Sequence, residues 1–429
     1  MSYLQLGVSA LSAIGLLAMA AFLGIGGAVE LYTSGLESAE AIRDFLMAFS
    51  LGLVGVLCLP SAWFSYKRLS SKDPKGFLAN QDSSPANNLV QPEPELAKET
   101  FRVSMHKEPF RLVTLLLVIG LPLSLGLGQL ASTSKTVAWL LLPPLNLVAT
   151  GLPVLWLAML GMRKLDGGSL QQRWGLFVAG AAVGPVFSLL VEFAVLALGG
   201  VLALVYVSTQ PELMSEIQDL AAQIRGMTAP DQEALMELLA PYLKNPAVIT
   251  GLLLVVAVSA PLVEELFKPI GLWLLAWKKL TPAQGLVAGI ISGAGFALFE
   301  NLGNTSGAGE LWALVALSRI PAAMLHMTTS GLMGWAMVTA WSSGRYWKLA
   351  LSYAAAVTIH GLWNGLAVLS ATSLPGDLSA SAVQEMAAKG VALVAALVLL
   401  GISIFFLYLR LNRSQRPKPE APAAQAIIE

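Results

Sequence analysis

Apolar stretches of about 20 residues, parted by short polar connections, recur along almost the whole chain. Such a stretch is long enough to cross the hydrocarbon core of a bilayer as an α-helix. Ten spans follow, at roughly 7–29, 45–66, 110–131, 137–161, 175–207, 248–277, 282–303, 312–341, 347–370 and 389–409. The expected fold class is therefore all-α, a polytopic transmembrane helix bundle. The fifth and sixth spans are overlong. Pro185 and the Gly199-Gly200 pair are expected to break the fifth, and Pro261 and Pro269 to bend the sixth. Pro143-Pro144 and Pro153 are expected to kink the fourth.

Charge placement sharpens this count. Lys and Arg fall in alternate connections: Lys67 to Arg111, Arg163 to Arg173, Lys278-Lys279, Arg345 with Lys348, and the tail from Arg410. The intervening connections are acidic or neutral. Ten spans with both termini cytoplasmic satisfy the positive-inside rule at every turn, and an odd number breaks the alternation. Trp277, Trp312, Trp341 and Trp347 fall at proposed span ends, where an aromatic belt is expected. The first apolar stretch has no Lys or Arg before it and is too long for a signal-peptide core, so it is read as a retained span.

Composition agrees with a chain integral to the cell membrane. Of 429 residues, 56% are hydrophobic and 12% charged, against about 45–50% and 25% in soluble domains. The formal net charge is zero, so nothing points to nucleic acid as a partner. Cys58 is the one cysteine, which excludes an intrachain disulfide and argues against a cysteine metal site.

The chain divides into residues 1–207, the N-terminal spans with a polar cytoplasmic linker at 68–108; 208–246, an extracytoplasmic amphipathic helical hairpin; 247–370, a core rich in intramembrane polar groups; and 371–429, a last span and a Pro/Ala-rich disordered tail. Thr209-x-x-Glu212 and Thr228-x-x-Asp231 have the capping-box pattern and are expected to open the two hairpin helices.

The core carries the chemistry. Glu264 and Glu265 stand side by side in the sixth span and Lys268 follows one turn later. Charged groups near a bilayer centre cost roughly 2.5 kcal/mol or more each, so three within five positions need a reason. Glu264 and Lys268, four apart, share a face and can pair, whereas Glu265 lies about 100° round the helix. Glu300-Asn301, Arg319, His326, and His360 with Asn364 complete the set on the next three spans. Arg319 needs a carboxylate partner and Glu300 lies at similar depth. Gly285, Gly289 and Gly293 form overlapping G-x-x-x-G steps, explained by close helix packing. Glu192, in the fifth span, has no companion motif and reads as structural, as does His106 in the linker as a solvated side chain. Buried ion pairs that only fix helix register explain the same polar residues structurally. Counted along the helices, Glu264, His326 and His360 lie at similar depth, with Glu300 and Arg319 shallower, so the set can line one cavity that opens outward.

Glu264-Glu265-x-x-Lys268, Phe296-x-x-x-Glu300-Asn301, Arg319 followed by His326, and His360-x-x-x-Asn364 together resemble the PrsW family of intramembrane proteases. That family is distantly similar to the CAAX-prenyl protease group, whose second motif has a histidine where this chain has Glu300. The resemblance spans roughly residues 248–370. It implies an enzyme that cuts membrane-anchored protein substrates, of the anti-sigma-factor kind, near the outer membrane boundary. His326, His360 and Glu300 have the composition of a zinc site with an open fourth position, beside which Glu264 or Glu265 is the general base. In the metal-free alternative the glutamate pair activates water while His360 and Asn364 stabilise the oxyanion. Lys268, Arg319 and Asn301 are supporting residues in both. The competing class is an ion- or proton-coupled transporter using the same carboxylates and histidines. Against it, the first half of the chain has no counterpart of the polar set, where transporters often carry repeats.

Overall fold

The computed structural model describes residues 2–34, 38–71, 95–134, 136–226, 238–239, 241–242, 245–372 and 380–417. Most of the linker at 68–108, most of the second hairpin helix including Thr228, and most of the tail lie outside the described residues, as does the side chain of His106. What is described is helical, with no strand among the described residues. The helices are α1 Ser2–Ser34, α2 Ala39–Ser70, α3 Glu95–Ser132, α4 Ala138–Gly161, α5 Leu170–Ser208, α6 Pro211–Gly226, α7 Pro246–Trp273, α8 Pro282–Ser306, α9 Trp312–Ser343, α10 Tyr346–Thr372 and α11 Ala380–Ser414.

Nine helices among the described residues are long and apolar enough to cross a membrane, one fewer than the sequence predicts. The difference is α10. It has the length, 27 residues, but Ser352, Thr358, His360 and Asn364 dilute its apolar run. Ser352 and His360 are buried, Asn364 is half-buried and Thr358 bonds back to the Ala354 carbonyl, so α10 can still lie within a bundle.

Local sequence fixes the helix ends. Ser38, Ser169 and Asn245 each accept a backbone N–H as N-caps, and Thr281 with Gln284 forms a reciprocal capping box before α8. Gly344, with φ +67°, ends α9 in the left-handed conformation that glycine adopts without strain. Thr209 differs from its predicted role. Its hydroxyl donates back to the Tyr206 carbonyl and ends α5, and α6 instead opens at Pro211. Of the predicted belt, Trp277 and Trp347 are exposed, but Trp312 is fully buried against Gly128. It packs a helix–helix contact and is not an interfacial anchor.

Proline explains the irregularities. The helices widen into one π turn at Leu147–Gly151, Ala179–Val183 and Leu254–Ser259. Each lies just before a proline: Pro153, Pro185 or Pro261. A proline supplies no N–H and crowds the carbonyl four residues back, so the ladder re-forms with wider spacing. Gly199-Gly200 does not interrupt α5. Pro269 does break α7, which runs helically over Ala260–Phe267, turns, and resumes at Ile270–Trp273. The break falls immediately after Lys268.

At the centre stands α8, with 89% of its apolar window buried. Its glycine stripe is the contact with α9. A Cβ on Gly293 would lie 2.6 Å from the His326 carbonyl, and one on Gly289 would collide with the Ser330 carbonyl. On the opposite face Gly295 meets the backbone of α5 at Phe177. Small residues thus bring three backbones together, as the G-x-x-x-G pattern predicts. This closeness sets how near α9's His326 comes to α8's Glu300.

Candidate active site

Four helices bring the polar set together. α7 supplies Glu264, Glu265 and Lys268 just above its break; α8 supplies Glu300 and Asn301; α9 supplies Arg319 and His326; α10 supplies His360 and Asn364.

Lys268 is completely buried and meets both glutamates. Its Nζ lies 2.7 Å from Glu265 Oε1 and 3.0 Å from Glu264 Oε2, and 4.9 Å from the Phe296 ring centroid. The expectation that only Glu264 could pair with Lys268 is thus corrected. Positions i and i+3 also share a helix face, and the long lysine stem reaches either carboxylate. Glu265 is the more tightly held of the two. It is 0% exposed, and His360 Nδ1 lies 2.9 Å from the oxygen that accepts from Lys268. The Glu264 side chain is 15% exposed, and its Oε2 lacks an aligned hydrogen bond despite the nearby ammonium.

His360 Nδ1 faces both Glu265 Oε1 at 2.9 Å and Lys268 Nζ at 3.2 Å. Donation to the nearer carboxylate puts the hydrogen on Nδ1 and leaves Nε2 its lone pair. Asn364 agrees. Its Nδ2 donates to the Val256 carbonyl at 3.0 Å and lies 3.3 Å from His360 Nε2. Val256 lies in the π turn before Pro261, where the widened ladder lets a side chain approach the backbone.

His326 has a parallel arrangement. Its Nε2 lies 2.7 Å from Glu300 Oε2, a contact that is short but poorly aligned as a hydrogen bond. A nitrogen lone pair cannot rest that close to a carboxylate oxygen, so Nε2 carries hydrogen and Nδ1 is left as the lone-pair nitrogen. Nδ1 is buried and unpartnered. Glu300 Oε1 accepts from Arg319 Nη2 at 2.7 Å and from Asn304 at 3.3 Å. Arg319 Nε donates to Asn301 Oδ1 at 2.8 Å. The expected Glu300–Arg319 pair is present.

Each histidine is therefore held by a carboxylate, and each carboxylate by a cation. The two rings stand edge to face, 5.3 Å between centroids. One ligand atom each from Glu264, His326 and His360 fall within 4.8 Å of one another, a group able to hold a metal ion. Two imidazoles and a carboxylate are a donor set of catalytic zinc, and Glu264 Oε2 and His326 Nδ1, neither of which makes a hydrogen bond, fit that use. Glu264 is the carboxylate in this group; Glu300, expected there from sequence, stands behind His326. Carboxylates in that outer position orient a ligating histidine and raise its basicity.

Two residues that sequence reasoning passed over support the frame. Ser292 Oγ donates to the Lys268 carbonyl at 2.6 Å, and Tyr353 Oη donates to the Leu262 carbonyl at 2.6 Å. Both steady the broken end of α7. Ser292, a polar position inside a buried glycine stripe, was the available signal.

Comparison with known proteins bears on this geometry. Residues 232–402 match the model of the PrsW family intramembrane metalloproteases. All four helices of the site lie within the match. The match supports an enzyme with protease activity, and so peptide hydrolysis over ion transport. A search of the curated proteins gives no match, and neither does a search of the solved structures.

Proposed function

We propose, from the premise that residues 232–402 are a PrsW-type protease segment, that the chain hydrolyses a peptide bond of a membrane-anchored protein near the outer membrane boundary. Glu264, His326 and His360 are the reacting groups; Glu265 and Glu300 orient them. The observation that carries this reading is the convergence of those three side chains, with His326 Nδ1 lacking any hydrogen-bond partner and Glu264 Oε2 held by its ion pair with Lys268.

The residues divide the work. Lys268 and Arg319 hold Glu265 and Glu300, and these favour hydrogen on the histidine nitrogen that faces them, leaving the other as the lone-pair nitrogen. A zinc ion held by Glu264, His326 and His360 would supply a Lewis acid and a lowered pKa for water. Three carboxylates face two fixed cations, so the pocket has one negative charge to spare for a divalent ion. Asn364 donates beside His360 and is placed to stabilise negative charge on a substrate oxygen.

Access supports an outward opening. The histidines are 2–3% exposed, whereas Glu300 is 31% and Arg319 16% exposed. Glu300 lies six residues before the end of α8, about 9 Å from it. By the positive-inside rule that end faces away from Lys278-Lys279, toward the outside. A single-span substrate of the anti-sigma-factor kind, cut near its outer boundary, fits such a site.

The test is purified protein, assayed for bound metal and for cleavage of single-span peptides, with Glu264→Gln, His326→Ala and His360→Ala alongside. Activity lost in all three, with metal lost from the histidine variants, is expected. Cleavage that survives all three sinks the proposal. A metal-free, chelator-resistant wild type with the same mutational losses removes zinc alone and leaves Glu264 as the base acting on water.

A further inference from the structure

One buried carboxylate remains unused. Glu192 lies on α5, outside the segment that matches the protease family. It continues a stripe with Gly184 and Ser188, each four residues apart, that faces α7. A Cβ on Gly184 would lie 3.3 Å from the Phe267 carbonyl and 3.5 Å from the Phe296 ring. Phe187 stacks on Phe267 with centroids 5.8 Å apart. α5 and α7 are successive spans and so run in opposite directions. Eight residues beyond Gly184, about 12 Å, bring Glu192 level with the start of Ala260–Phe267, roughly a turn from Glu264. Glu192 is also within electrostatic reach of Glu264, Lys268 and Glu300.

Two polar atoms on this stripe have no hydrogen-bond partner: Ser188 Oγ, on a residue 2% exposed, and the buried Glu192 Oε1. Unsatisfied polar atoms at membrane depth are costly. Beyond Glu192, α5 parts from the bundle. Every residue from Phe193 to Tyr206 is exposed, whereas a helix packed on one side shows a buried residue every three or four positions. The outer stretch of α7, Pro246–Leu253, has no buried residue either. The outer stretches of the two helices thus bury nothing against the bundle, with Glu192 where α5 begins to part from it and Glu264 about a turn deeper. A peptide must be extended to be cut, and the N–H groups freed by unwinding need acceptors where lipid offers none.

We propose that Glu192 is a substrate-binding residue: it accepts a hydrogen bond from an N–H group of the unwound substrate segment entering between α5 and α7, with Ser188 offering a second contact deeper in. This rests on the peptidase reading above.

The experiment uses the full chain in lipid vesicles and a panel of synthetic single-span peptides, with kinetics on one that the wild type cleaves. Glu192→Ala is expected to raise KM about tenfold, the loss of one hydrogen bond to a charged acceptor, with kcat within about twofold and metal content unchanged. Glu192→Gln keeps the shape and an acceptor oxygen. Recovery of most of the affinity in Glu192→Gln identifies a backbone N–H as the donor. If Gln behaves as Ala, and norleucine in place of a lysine in the peptide removes the difference from wild type, a cationic side chain is the donor and the inference is overturned. Unchanged KM in both variants overturns the inference, as does loss of bound metal, which would make Glu192 part of the metal pocket's charge. A wild type that cleaves no peptide of the panel overturns the peptidase reading and this inference with it.

Discussion

Replacing the two adjacent glutamates one at a time is expected to separate stability from activity. Glu265 is fully buried and accepts from Lys268 at 2.7 Å and from His360 at 2.9 Å. At an effective dielectric of about 20 the lysine contact alone is roughly 6 kcal/mol of gross attraction. Removing one partner of a buried pair costs about 3–5 kcal/mol net. Lys268 keeps Glu264 at 3.0 Å, so Glu265→Gln should fall near the lower figure, ~3 kcal/mol. It should also weaken metal binding about 10–100-fold, since His360 loses its orienting carboxylate. Glu264 is more exposed and has no aligned hydrogen bond at Oε2. Glu264→Gln leaves Lys268 paired with Glu265, so it should cost about 1 kcal/mol or less while lowering kcat about a hundredfold or more. Thermal unfolding of the full chain followed by tryptophan fluorescence, peptide cleavage, and metal competition against a chromogenic chelator measure the three quantities. A Glu264→Gln variant that unfolds at lower temperature than Glu265→Gln, or that cleaves at the wild-type rate, would refute the division of labour.

Three further outcomes are expected. Gly289→Val forces side-chain atoms into the Ser330 carbonyl and should cost at least about 1–3 kcal/mol, with activity lost as His326 moves; unchanged unfolding temperature and activity would remove α8–α9 contact as the site's scaffold. Arg319→Ala should cost about 1–3 kcal/mol and lower activity by freeing Glu300, while Arg319→Lys restores charge but not the simultaneous contacts to Asn301 and Glu300; equal activity of Lys variant and wild type would count against that fork. With Cys58 replaced by Ala, single cysteines at Ser71 and Gln223 should label from opposite faces of the membrane with an impermeant reagent. Labelling from the same face would overturn the topology with both termini cytoplasmic.

Helix order and nine of the ten predicted spans were legible in the sequence because span length is a local property, set by bilayer thickness and readable without knowing any neighbour. The same holds for the glycine contact, since Gly285, Gly289 and Gly293 mark a close approach whatever helix answers it. The Glu300–Arg319 pair was also foreseeable, because a charge at that depth has few partners to choose from. Other features depended on neighbours. Trp312 became a core residue because Gly128 of α3 makes room for its ring. The three π turns each lie just before a proline, yet Gly199-Gly200 broke nothing.

The site divides in the same way. Sequence alone determined which residue types stand in the membrane, since each charged group is an energetic anomaly visible in the chain. It did not determine which carboxylate joins the histidines. Glu264 and Glu265 are one position apart, and their environments diverge only because α10 sets His360 against one of them, tying Glu265 down and leaving Glu264 toward the accessible space. Glu300 stands behind His326 because Arg319, on the facing helix, draws one oxygen away. Which groups meet, and in what arrangement, was decided by contacts between helices.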